Sequence, residues 1–214
     1  MIFGMNIAMS TVGLVRPLTL LFFALPKLFW AASPLYAAAS GATAGLNFDE
    51  LISALAKRNP EVTSFEETTF SAMLTEPLKT RGQLKFTPPS RLEKHVTDPY
   101  EERYVIDGDN LLFESKRRRV NKNLSLDDYP ALRIFVEALR STLGGDPITL
   151  KRFYRTTLEG ELRRWTLMLR PLDPASQALV ESVRVYGEGH RVTMIETRTP
   201  DGDGSILVLT KVVP

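Results

Sequence analysis

Tyr104-Val105-Ile106-Asp107-Gly108-Asp109-Asn110-Leu111-Leu112-Phe113 decides how this chain folds. Two runs of β-branched, aromatic and aliphatic residues flank Asp107-Gly108, and Asp and Gly tolerate the positive φ that a tight hairpin demands. The same texture extends outward. From Val62 to Val120, short runs rich in Thr, Val, Phe and Tyr are separated by Pro and Gly, which predicts strands over 62–72, 79–87, 91–97, 101–106 and 111–120. Hairpin-length connections make them an antiparallel meander.

Two helical patterns frame this meander. Asn47-Phe48-Asp49-Glu50 reads as an N-cap with a Glu three residues on, and Phe48, Leu51, Ile52 and Leu55 follow at helical spacing up to Arg58. A second helix starts around Asp128-Tyr129-Pro130, with Asp128 as the expected cap. Its apolar stripe is Leu132, Phe135, Val136, Leu139 and Leu143, and Gly144-Gly145 ends it. Strands resume over 148–158, 161–170, 178–187, 190–198 and 205–213, with turns at Glu159-Gly160, Gly187–Gly189 and Pro200–Gly204. Residues 171–177 read as a loop or a brief helical turn.

Alternation shows which faces are dry. Leu84 and Phe86 share one face of their strand, as do Trp165, Leu167 and Leu169, while Gln83, Lys85, Thr87, Arg164, Thr166 and Arg170 take the other. About ten to eleven antiparallel strands, dry on one side, curl rather than stay flat. The expected fold is therefore mainly β with α: an unclosed antiparallel β-barrel whose helices cover the concave face. Pattern leaves two readings of the apolar residues, an ordinary filled core or a hollow open to a ligand, as in small barrels.

The N-terminus carries a different signal. Arg16 precedes an apolar stretch from Leu18 to Ala32, and Ala37-Ala38-Ala39 offers small side chains at a cleavage site, so residues 1–39 read as a secretory signal peptide cut before Ser40. A membrane-spanning helix is the weaker reading, because the stretch is short and is broken by Pro26 and Lys27. Residues 40–214 then form one domain. Without Arg16 and Lys27 that domain carries 25 basic and 25 acidic residues, which leaves no electrostatic case for nucleic acid. There is no cysteine to acylate or to form a disulfide, so the expectation is an exported, periplasmic domain held together by burial alone.

Catalytic chemistry finds little support. His95 and His190 stand in no metal-ligand spacing and beside no evident nucleophile, and G-x-S-x-G and P-loop motifs are absent. Asp201-Gly202-Asp203-Gly204 lacks the further ligands of a calcium loop and reads as a turn. Glu101, Glu102 and Arg103 read as solvated residues at a strand start. Lys116-Arg117-Arg118-Arg119, taken as part of a strand, alternates faces; it is either a solvated edge that discourages pairing or a contact for acidic lipid headgroups or an acidic partner. No catalysis, metal or cofactor is expected.

Several strings together resemble the LolA-like family of periplasmic lipoprotein carriers. Gly82-Gln83-Leu84-Lys85-Phe86-Thr87-Pro88-Pro89 is similar to a strand end of the family, and Val105-Ile106-Asp107-Gly108 through Leu111-Leu112-Phe113 to its hairpin. Tyr129-Pro130, Leu143-Gly144-Gly145-Asp146 and Trp165 to Pro171 resemble a divergent branch, so that the likeness runs in order over 47–213. The resemblance implies a half-barrel with a helical lid over an apolar cavity. It also implies a monomeric carrier that shields acyl chains of lipoproteins or lipids between an inner-membrane exporter and an outer-membrane receptor in outer-membrane biogenesis.

On that reading Leu132, Phe135, Val136 and Leu139 belong to the lid, and Leu84, Phe86, Trp165, Leu167, Leu169 and Met194 are candidates to line the cavity. The chain departs from the founding carriers at two positions: Pro88 stands where they have the Arg that latches the lid, and Lys94 where their next strand brings an aromatic. An RseB-like periplasmic sensor on the same scaffold, bound to a protein partner, is the alternative reading.

Overall fold

The computed structural model describes residues 46–57 and 62–211; the expected signal peptide, its cleavage site and Arg58 lie outside the described residues. Eleven strands form one antiparallel sheet: β1 Val62–Phe70, β2 Leu78–Thr87, β3 Arg91–Asp98, β4 Glu102–Asp107, β5 Asn110–Ser115, β6 Val120–Ser125, β7 Tyr154–Glu161, β8 Arg164–Pro171, β9 Ser182–Glu188, β10 Arg191–Arg198 and β11 Gly204–Lys211. Their spatial order is β6-β5-β4-β3-β2-β1-β11-β10-β9-β8-β7, so β6 and β7 are free edges and the barrel is unclosed. Four helices accompany the sheet: α1 Phe48–Ala56, α2 Pro130–Gly144, α3 Pro147–Phe153 and the single turn α4 Pro174–Gln177.

The deciding hairpin forms as its chemistry demands. Tyr104 pairs with Phe113 and Asp107 with Asn110, which leaves Gly108 and Asp109 as the turn, Gly108 at φ 55°. Irregular register between Arg81 and Gly82 and between Val192 and Met194 adds local twist to the long sheet. The inner face collects Phe65, Leu84, Leu92, Val96, Tyr104, Ile106, Leu111, Phe113, Trp165, Leu167, Leu169, Val183, Val185, Ile195 and Leu207, all buried, while the intervening residues, Val105 apart, are half-buried or exposed.

The helices lie on this inner face. The Asn47 side chain accepts from Glu50 N at 3.1 Å, capping α1, whose Leu51, Ile52 and Leu55 are buried. α2 has no side-chain cap; the expected cap, Asp128, instead ends a 3-10 turn, Leu126–Asp128, that Ser125 opens. Pro130 starts α2 where a missing N–H costs nothing. Gly145 ends it at φ 72°, and a Cβ there would stand 2.3 Å from Ala56 Cβ, so this glycine is fixed both by its conformation and by the approach of α1.

Several expected boundaries are corrected. The strand expected over 148–158 begins as helix α3, because Asp146 caps Thr149 N at 2.9 Å and Pro147 occupies the first turn; β7 starts only at Tyr154. Its hairpin with β8 turns at Leu162 and Arg163, not at Glu159-Gly160, since Glu161 pairs with Arg164. The strand expected over 111–120 is two, β5 and β6, with Lys116–Arg119 as the turn between them. β9 begins at Ser182 rather than 178.

The hydrogen bond from Thr149 holds the Asp146 carboxyl below its ordinary range. A depressed pKa means that the stabilisation is present above the ordinary aspartate range and is lost as pH falls through the depressed value. Asp146→Ala is therefore expected to cost about 1 kcal/mol at neutral pH, and urea unfolding as a function of pH should show that difference shrink in acid.

Candidate functional site

A cavity lies between α2 and the concave face. Leu132, Phe135, Val136 and Leu139 of α2 form its roof; Leu84, Leu92, Ile106, Leu111, Ile195 and Leu207 line it from the sheet, together with Lys94 and Tyr104. Its free volume is about 30 Å³, close to one water molecule's share of the liquid. The apolar stripe of α2 thus fills most of the concavity in this closed arrangement.

The polar ties on α2 are few and specific. Arg140, on the far side from the stripe's start, donates through Nε to the carbonyl of Ser90 at 2.8 Å, through NH2 to that of Gly108, and through NH1 to Glu137 at 3.1 Å. These bonds fasten α2 to the β2–β3 and β4–β5 turns. Arg133 adds contacts to Asp127 and, at 3.2 Å, to Asp109, and the Tyr154 hydroxyl donates to the carbonyl of Ile134 at 2.7 Å. Burial, above all, pushes the Tyr154 phenol well above its ordinary range, so this bond is indifferent to physiological pH. Arg140 thus grips the rim from the helix, while Arg91 at the start of β3 ties the two turns to each other through Asp107 at 3.0 Å.

Lys94 and Tyr104 line the cavity through their apolar atoms, and their polar ends are bonded elsewhere. Lys94 Nζ hydrogen-bonds Glu67 Oε2 and sits 5.0 Å from the Phe65 ring centroid; the lysine and glutamate side chains are 8% and 2% exposed. Tyr104 donates to Glu102 Oε2 at 2.6 Å, and its ring stacks on Phe113 at 4.9 Å. Burial first, then Glu102, drive the Tyr104 phenol far above its normal range, so it stays a neutral donor. Glu102 also accepts from Ser115 at 3.3 Å and lies 3.6 Å from Arg118, which corrects the expectation that it is solvated. Such a buried pair gains little over an apolar replacement of both partners, whereas removing one partner alone costs about 3–5 kcal/mol.

Five of the ten residues singled out from the sequence, Leu84, Leu132, Phe135, Val136 and Leu139, are brought together here. Phe86 packs against the core beside Gly144 but outside the lining. Trp165, Leu167 and Leu169 are fully buried on the inner face, yet they sit in another part of the core; Trp165 donates to the carbonyl of Gly189 at 2.7 Å. Met194 is corrected to the face opposite Ile195, because the irregularity at Val192–Met194 reverses the alternation. Lys94, with Leu92 and Val96, follows inward alternation along β3 that the sequence carries, and Lys94 and Tyr104 are the polar members that side-chain chemistry alone left outside the lining.

The basic run forms an exposed turn. Lys116 meets Glu101 at 2.8 Å, Arg117 lies 3.7 Å above the Tyr100 ring, and Arg119 has φ 52°. Beside it a polar cleft of about 350 Å³ is bounded by His95, Glu101, Arg103, Glu114, Lys116 and Arg119. Among the described residues no group of His, Asp or Glu is arranged to hold a metal ion, and no helix is long and apolar enough to cross a membrane.

With this geometry in place, a family description decides the chain's lineage: "Outer membrane lipoprotein carrier protein LolA-like" matches residues 38–212. The chain belongs to the LolA-like family. No curated protein matches it in sequence. Among solved structures it is similar to a LolA superfamily protein from Nitrosomonas europaea, at 12% identity over 78% of this chain and 94% of that one, with a TM-score of 0.39. A putative outer membrane lipoprotein-sorting protein domain from Vibrio parahaemolyticus shares 11% identity over 77% and 90%, with a TM-score of 0.40. A chain of the Pseudomonas aeruginosa MucA/MucB complex shares 12% over 78% of this chain and 58% of that one, with a TM-score of 0.41.

Removing the arginine from the inner surface of this LolA-like fold tests how α2 is held. Arg140→Met is expected to lower stability by about 1–2 kcal/mol, since the part-buried bonds to the Ser90 and Gly108 carbonyls lose their charged donor, and to speed hydrogen exchange along α2. Arg133→Met, whose partners are exposed, should cost under about 1 kcal/mol.

Proposed function

We propose that this protein is a periplasmic carrier that shields the acyl chains of a lipoprotein or another lipidated product while they cross from the inner to the outer membrane, without catalysis. The observation that carries this reading is the way α2 covers the dry face of the open sheet. An amphipathic helix presses its apolar stripe into the dry face of an open sheet and is fastened to the rim by a small number of polar bonds. Displacing α2 exposes two matching apolar surfaces, and an acyl chain lying between them replaces the contacts that each loses.

The energetics suit transfer rather than storage. Burying a chain contributes about 0.8 kcal/mol per CH₂, and opening α2 subtracts from that gain. The balance leaves a ligand held firmly in water and released when a receptor favours the open state, as differential affinity for two conformations requires. Membership of the LolA-like family supports both the compartment and the class of cargo. The sensor reading draws support from the polar cleft beside the basic turn, which offers a protein partner a separate surface; a pull-down that returned a membrane-anchored regulator in place of lipoproteins would favour it.

Titration with fluorescent fatty-acid probes tests the carrier reading. Binding should saturate, and two added methylenes should tighten it about tenfold until the chain outgrows the space under α2. Val136→Phe, which overfills the seam, should weaken binding about tenfold. Absence of saturable binding by probes of every length would contradict the proposal.

A further inference from the structure

We propose that β7 is a docking edge for a second copy of this chain, which adds its own β7 antiparallel across a two-fold axis at Thr157 and joins the two sheets into one. The inference stands apart from the acyl-carrier reading, and it departs from the monomer that the family resemblance implies.

The two free edges of the sheet are unlike each other. β6 is six residues long and carries the exposed Lys122, a side chain of the kind that discourages pairing with other chains. β7 is eight residues long, holds neither lysine nor proline, and runs in unbroken register against β8 from Tyr154–Pro171 to Glu161–Arg164. Of its residues only Tyr154 is buried, and β8 is its only strand partner among the described residues. A long, regular edge of this kind presents a row of unpaired N–H and C=O groups to another strand.

The side chains along β7 fit a second copy of themselves. Arg155, Thr157 and Glu159 alternate onto the outer face, while Thr156 and Leu158 share the inner face with Leu169 and Leu167. An antiparallel pair centred on Thr157 sets Arg155 opposite Glu159 of the second copy, twice by symmetry, with Thr156 opposite Leu158 and Thr157 opposite itself. Opposite charges and facing threonines are cross-strand pairs that stabilise a sheet. The two-fold axis makes the contact self-complementary and closes it at two copies.

Within one copy the same arginine is badly placed. Arg155 stands directly opposite Arg170 on β8, where like charges repel. Arg155, Glu159 and Arg170 are exposed, and none of the three has an ion-pair partner among the described residues. Glu159 of a second copy gives Arg155 the counter-charge that its own sheet lacks. A register centred on Leu158 would bring Glu161 to Arg155 instead, but it runs through Gly160, whose φ of 94° leaves the extended backbone of a regular ladder.

Sedimentation velocity on the mature protein, from about 10 μM to about 1 mM, tests the proposal. The expected result is a monomer passing to a dimer and no further, with a dissociation constant above about 1 μM, because a pairing over 155–159 is a small interface. Arg155→Glu should weaken association about thirtyfold, as two attractions become repulsions. The same change sets a glutamate against Arg170, so urea unfolding of the dilute variant should move to higher denaturant, which separates lost association from lost folding. Arg155→Glu combined with Glu159→Arg reverses both charges and should restore the dimer. The single variants Arg155→Glu and Glu159→Arg, each monomeric alone, should form a heterodimer when mixed, and Glu161→Arg should leave association unchanged. A protein still monomeric at about 1 mM, a double variant that does not recover, disruption by Glu161→Arg, or growth into open-ended polymers through β6 against β7 would each overturn the proposal.

Discussion

An eleven-stranded sheet that is dry on one side must cover that side, and the packing of α2 against its concave face is the contact on which the rest of the structure depends. The free edges β6 and β7 mean that the sheet cannot bury its inner residues by closing on itself. Leu132, Phe135, Val136 and Leu139 supply the missing surface, while α1 and α3 pack against α2 and each other to steady it. Lys151 of α3 meets Asp49 of α1 at 2.7 Å, so the helical layer is bound internally as well as to the sheet.

This arrangement separates two kinds of stabilisation. The apolar seam is non-directional, whereas the Arg140 bonds to Ser90 and Gly108 have fixed partners; on the carrier proposal an acyl chain rebuilds the first and the second are given up. Arg140 thus fastens α2 to the rim without lining the cavity. The ion pair of Glu67 and Lys94 plays the complementary part. It joins β1 to β3 across β2 and so braces the sheet itself.

Much of this was legible in the chain because the deciding signals are local. Asp107-Gly108 sets its own hairpin, Asn47 its own cap, and the spacing of Leu132, Phe135, Val136 and Leu139 its own helix face. What escaped lacked such signals or had competing ones. β6, Val120–Ser125, is an edge strand with polar residues and no clean alternation, and the turn before it uses Arg119 at positive φ where a glycine would have announced it. α3 spans seven residues, too few for a helical period to outweigh its strand-like Ile148, Thr149 and Leu150, although Asp146-Pro147 did mark its start.

The candidate site was half legible for a related reason. Alternation gives the face of a strand but not the position along a curled sheet, so Trp165, Leu167 and Leu169, read as candidates to line the cavity, lie on the inner face but outside the space under α2. Met194 shows how one irregular register reverses the faces beyond it without any mark in the sequence. Lys94 sits between Leu92 and Val96 in strict inward alternation, and only the habit of placing lysine outside concealed it.

The most direct measurement is a crystal structure of the mature protein with a terminally brominated acyl chain, the bromine located by its anomalous scattering. The account predicts the bromine between the Leu92, Ile106 and Leu111 wall and a displaced α2, with the Arg140 bonds to the rim broken. A bromine bound outside the concave face, with α2 seated as it is here, would contradict it.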